Sequence, residues 1–242
     1  MLKKLYEKNE ILFAVLWIAA YCLLMSLGDA LSAVLGLEKS VTLAVGLILC
    51  TVLLLFLKKN GLLQAYGFHR PKVPARRVLF YIPVFLMLTA NLWYGFTWNY
   101  GAAETALYIL SMFCVGFLEE VIFRGLLFKA MSKDNLKSAV IVSSVTFGIG
   151  HIINLINGAG AELLPNLLQV VYATAAGFMF VMLYLKTGSI LGCIGAHGVF
   201  NALSVFADEA SATPEMRIIS AIFLTVITGG YALYLARTMK AK

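Results

Sequence analysis

The chain contains about eight apolar stretches of roughly twenty residues, the length a helix needs to cross the hydrocarbon core of a bilayer. They lie at about 11–28, 40–57, 78–98, 105–129, 138–156, 165–185, 189–206 and 217–236. No water-soluble fold of 242 residues could hide that surface. Hydrophobic residues make up 61% of the chain and charged ones 13%, against about 45–50% and about 25% in soluble domains. The expected fold is therefore all-α, a polytopic membrane helix bundle of about eight transmembrane helices. It reads as a single integral membrane domain over 1–242. The first span follows a basic start and resembles an uncleaved targeting helix.

The loops orient the bundle. With the N-terminus in the cytoplasm, sixteen of the nineteen Lys and Arg residues fall on cytoplasmic segments, Lys240 and Lys242 among them. Only Lys39 and Arg217 fall outside, and Arg124 lies within a span. Such a bias places both termini in the cytoplasm. The cluster Trp93, Tyr94, Trp98 and Tyr100 then falls at the outer interface, as an aromatic belt does. The net charge of +7 is explained by loops facing anionic lipid. No basic domain or stripe points to nucleic acid. The connection at 57–77 is basic and interrupted by Pro71 and Pro74, with room for a short helix on the membrane surface. Cys22, Cys50, Cys114 and Cys193 lie in apolar runs with neither disulfide nor metal-ligand spacing, and read as small buried hydrophobes.

Polar residues inside the spans are the exceptions that carry information. "FLEEVIFR" holds Glu119, Glu120 and Arg124; "TFGIGH" holds Phe147 and His151; "GAHGVFNA" holds His197 and Asn201. Asn166 and Gln169 sit near the outer end of the sixth span, where they read as helix-pairing groups. A charge at the bilayer centre costs about 2.5–3.5 kcal/mol on insertion scales, so such residues mark function. Glu120 and Arg124 are four apart and can pair on one face. Glu119 points about 100° away and is expected to be left for chemistry. Phe147 and His151, like His197 and Asn201, are also four apart. Helix rise puts Glu119 about 15 Å, His151 about 20 Å and His197 about 12 Å from the inner surface, so the three can meet. Gly116, Gly125, Gly148, Gly150, Gly192, Gly195 and Gly198 would let these helices approach closely.

A carboxylate, two imidazoles and an amide in a dry cavity suit hydrolysis. Glutamate can take a proton from water, histidine can orient that water or protonate the leaving amine, and donors can hold the oxyanion. A zinc ion held by Glu119, His151 and His197 is the competing account; the HExxH signature is absent. A non-hydrolytic membrane scaffold or a proton-coupled transporter remains open, although no repeat or broken-helix pattern of a transporter is visible.

"EEVIFR", "FGIGH" and "HGVFN" together resemble the three motifs of the CPBP intramembrane proteases, the CAAX-protease and bacteriocin-processing (Abi) family. The resemblance covers about 105–206, while the N-terminal helices at 11–98 add a compatible membrane count. It implies an intramembrane endopeptidase of a bacterial cell membrane with its site opening to the cytoplasm. A peptide or membrane-associated protein would be the substrate; an immunity factor against bacteriocins is the non-hydrolytic variant. Glu119 matches the family's catalytic glutamate and His151 its water-holding histidine. His197 and Asn201 match the oxyanion pair, with Glu120, Arg124 and Phe147 in support. The family includes metallo- and glutamate-type descriptions, so it leaves zinc open.

Overall fold

In the computed structural model, residues 2–155 and 162–239 are described; Lys240, Lys242 and the last residue of the expected fifth span lie outside them. The order is α1 (Leu2–Lys8), α2 (Glu10–Leu35), α3 (Ser40–Lys59), α4 (Ile82–Leu88), α5 (Ala102–Glu120) and α6 (Phe128–Met131). Then follow α7 (Leu136–Gly150), α8 (Leu163–Thr187), α9 (Leu191–Leu203) and α10 (Pro214–Thr238). A π-helical turn, Val121–Leu127, joins α5 to α6, so Ala102–Met131 is one continuous span. Among the described residues, 7 helical segments are long and apolar enough to cross a membrane. The eighth, Leu191–Phe206, is apolar but shorter. The chain is an all-helical, multi-pass integral membrane protein, with apolar side chains such as Leu23, Val34 and Ile219 turned outwards.

Local chemistry sets the helix ends. Asn9 caps α2 by accepting from the Leu12 N–H, and Asn135 does the same for α7 from Ser138. Gly36 and Gly188 close α2 and α8 in the left-handed conformation that glycine adopts freely. α2 runs seven residues past its expected end, to Leu35. Asp29 therefore lies within the helix, where Lys39 and Thr42 satisfy it at 2.8 and 2.6 Å. Burial would lower the pKa of Lys39, but the Asp29 carboxylate outweighs it and the pKa is raised.

The third span is the least regular. Only Ile82–Leu88 is α-helical, between 3-10 turns at Ala75–Tyr81 and Ala90–Leu92. Pro83 has no N–H to give the Leu79 carbonyl, so a regular helix cannot run through this point. Leu79, Phe80 and Tyr81 take positive φ there. The chain leaves the helix after Leu92, and Phe96 pairs with Ala207 while Asn99 donates to the carbonyls of Val205 and Ala207. The basic connection forms turns over 60–74 and no surface helix. It packs onto the α8–α9 corner through Lys72 N–H to Thr187 O and Ser189 Oγ to His69 O.

Contacts at the two ends fix the alternation of the spans. At one end Lys133 pairs with Glu10, and Lys186 donates to the Thr238 carbonyl. At the other, the Glu38 N–H donates to Glu104. The basic segments thus gather at the end carrying the α2 start and the α10 finish.

Two glycine crossings set the helices that matter for the site. A Cβ on Gly116 would stand 2.6 Å from the Gly198 nitrogen, so α5 and α9 touch backbone to backbone. A Cβ on Gly148 would stand 1.9 Å from Thr174 Oγ1 and 2.7 Å from its nitrogen, locking α7 against α8. A Cβ on Gly150, by contrast, would meet nothing within 4 Å among the described residues. Gly148→Ala is expected to lower the melting temperature of the detergent-purified protein, since overpacking costs about 1–3 kcal/mol and a backbone nitrogen cannot move aside. Gly150→Ala, measured alongside, is expected to melt like the wild type.

Candidate active site

The site is built where α5, its π-helical turn, α7 and α9 converge, with α2 and α8 closing the sides. Glu119 and Glu120 end α5, both buried. The π-helical turn then carries Arg124, whose side chain is 0% exposed. Within the turn the Phe128 N–H reaches the Phe123 carbonyl, which also accepts from Ser143 Oγ of α7 at 2.9 Å. Such turns occur often at functional sites.

Glu120 and Arg124 form the ion pair that their spacing leads one to expect, with Nη1 3.1 Å from Oε1. The contact is off hydrogen-bond geometry, so charge holds it. Nη2 donates to the Gly177 carbonyl at 3.4 Å. The guanidinium lies 4.1 Å from the Phe147 ring centroid and 5.4 Å from that of Phe180. A desolvated cation over an aromatic face gains about 2 kcal/mol. Phe147 therefore shields the buried cation as well as lining the site.

His197 joins the two glutamates. Nδ1 is 2.9 Å from Glu120 Oε1, and Nε2 is 3.3 Å from Glu119 Oε2. A carboxylate can only accept, so Nδ1 carries the proton and donates to Glu120. Adjacent glutamates diverge on a helix, but one imidazole presents a nitrogen on each edge and so meets both. Its ring stacks on Phe180 at 5.6 Å and meets Phe147 edge-on at 5.6 Å.

Glu119 is not free on both oxygens, as its divergence from Glu120 suggests. Tyr21 of α2 donates to Oε1 at 2.6 Å. Oε2, buried, makes no hydrogen bond among the described residues; the Nε2 contact is too poorly aligned to be one. Glu119 lines a cavity of about 120 Å³ between α2, α5 and α7, together with Tyr21, Asp29, Phe147 and His151. A second cavity of about 50 Å³ holds His197, Asn201, Gln169 and Tyr172, and shares Phe147 and His151 with the first.

His151 thus stands at the boundary of the two cavities, at the C-terminal end of α7. Its carbonyl accepts from Asn166 Nδ2 of α8 at 2.8 Å, so Asn166 braces the end of α7 rather than only starting its own helix. Asn201 faces the second cavity beside His197. Sequence reading passed over Tyr21 and Phe180, because an aromatic in an apolar span looks the same whether it packs or binds. Cys50 Sγ donates to the Cys114 carbonyl at 3.7 Å, and all four cysteines are free.

The zinc account can be tested on the donors themselves. Glu119 Oε2 and His197 Nε2, 3.3 Å apart, have a separation two tetrahedral ligands could take. No group of three His, Cys, Asp or Glu residues among those described is placed to hold a metal, so His151 does not complete the set. The donors as arranged do not fit zinc.

Residues 101–203 match the family model described as Type II CAAX prenyl endopeptidase Rce1-like. The match runs across all three motifs, so this segment is similar to that family, as the motifs suggest. The Bacillus subtilis (strain 168) protein named "Putative membrane peptidase YdiL" is 33% identical over 125 residues, 48% of this chain and 46% of that protein. The chain thus spans about half the length of the curated relative it matches. No solved structure matches.

Proposed function

We propose that this chain, Rce1-like across its motif-bearing helices, is an intramembrane peptidase of the glutamate type, hydrolysing a peptide bond in a peptide or membrane-associated protein. The observation that carries the reading is Glu119 Oε2: a buried carboxylate oxygen with no hydrogen bond among the described residues, on the wall of a cavity that also holds His151. Water beside Oε2 gives up a proton to it while its oxygen bonds to the substrate carbonyl carbon. The carbonyl oxygen becomes an oxyanion facing the second cavity, where the Asn201 amide donates to it beside His197. Glu119 then passes the proton to the amide nitrogen, and the C–N bond breaks. His151, between the cavities, orients the water. Glu120 fixes the His197 ring by holding Nδ1, and Arg124 balances the charge of Glu120.

The test uses purified full-length protein in liposomes with a proteome-derived peptide library, its products read by mass spectrometry. Cleavage that is absent with Glu119→Gln supports the reading; equal cleavage by both forms sinks it. The donor geometry further predicts that a chelator leaves cleavage unchanged. Stoichiometric zinc, removed together with activity, would show instead that the metal account is right.

A further inference from the structure

We propose that Tyr21, on α2 and outside the segment that carries the three motifs, is the positioning residue for Glu119. It engages Oε1 and so reserves Oε2 for the proton of water. This rests on the peptidase reading above. The terminal torsion of a glutamate is broad, so a carboxylate with no hydrogen bond would rock through a range of orientations. Here the phenol donates to Oε1 at 2.6 Å, a short charge-assisted bond of the stronger kind. The Tyr21 ring is itself buried in the core and cannot follow a turning carboxylate. On the opposite side stands His197, 3.3 Å from Oε2. The carboxylate therefore lies between a phenol on α2 that bonds it and an imidazole on α9 that does not, and among the described residues its Oε2 is left without a hydrogen bond. Tyr21 also lines the same cavity as Glu119. The tyrosine keeps its own proton throughout; it is the O–H bond of water that breaks, and that proton goes to Oε2.

This gives the N-terminal helices a part in the chemistry. A plain tether between α2 and α5 would use the same bond, so the test must separate position from stability. Tyr21→Phe keeps the ring and removes only the hydroxyl. The probe is a quenched fluorogenic peptide built on the sequence best cleaved in the library, with the full chain in liposomes. The expected result is a kcat lower by about 10–100-fold, the scale of a misplaced catalytic group, with KM and melting temperature unchanged. An unchanged kcat overturns the proposal. So does a loss of kcat that only follows a loss of folded protein or melting temperature. Glu119→Gln is assayed in parallel: if it cleaves like the wild type, the peptidase reading itself fails, whatever Tyr21→Phe does.

Discussion

Glu119→Gln is expected to lower kcat for peptide cleavage by about 10²–10⁴-fold, the usual contribution of a general base, while the protein stays folded and membrane-inserted. The two side chains have nearly the same shape. The amide oxygen can still accept from the Tyr21 hydroxyl, so the 2.6 Å link between α2 and α5 persists. What changes is the group at the Oε2 position. An amide nitrogen there cannot take a proton from water. Because the Oε2 position makes no hydrogen bond among the described residues, the substitution breaks no bond at that atom and introduces no packing change. Glu119→Asp retracts the carboxylate by one methylene and is expected to lose both the Tyr21 bond and most of kcat. Initial rates at saturating peptide, with melting temperatures measured on the same preparations, check both variants.

Glu120→Ala is expected to damage the protein itself. Arg124 is 0% exposed, and Glu120 is the carboxylate that faces it. Removing one partner of a buried ion pair costs about 3–5 kcal/mol, because the remaining charge is left uncompensated in a medium that cannot solvate it. The aromatic faces of Phe147 and Phe180 offset part of that cost. His197 also loses the acceptor of its Nδ1 proton and with it the fixed ring orientation. Low yield, early melting and aggregation on detergent size-exclusion are the expected signs. Replacing both partners with apolar residues, as in Glu120→Leu with Arg124→Leu, is expected to recover stability but not activity. A Glu120→Ala protein as stable and abundant as the wild type would show that the pair contributes little. The two adjacent glutamates are thus expected to separate cleanly: one variant folds and does not cleave, while the other scarcely folds.

Much of the bundle was legible because a lipid solvent imposes strong rules. Runs long enough to span had to be helices, since no other local structure satisfies the backbone there. Their limits recur in the structure within a few residues at both ends of α3, α8 and α10 and at the start of α7. The reading was weakest where local chemistry competes with hydropathy. Pro83 breaks the third span, and Lys39 and Thr42 allow α2 to carry Asp29 within it. The polar residues announced themselves by the cost of placing them in a membrane, and spacing alone linked Glu120 to Arg124. It did not show that His197 would reach both glutamates, because that depends on how α9 is rotated and how closely it lies on α5. Gly116 and Gly198 decide that distance.

The solvent, the helical class and the identity of the ionisable groups that had to be buried follow from local composition and from the cost of dehydrating a charge. Which oxygen of Glu119 lacks a hydrogen bond among the described residues came from packing, because it depends on a phenol 98 residues away in the chain. A hydroxyl on an apolar helix has no pattern of its own. It becomes part of a site only when packing brings it within hydrogen-bond reach of a carboxylate.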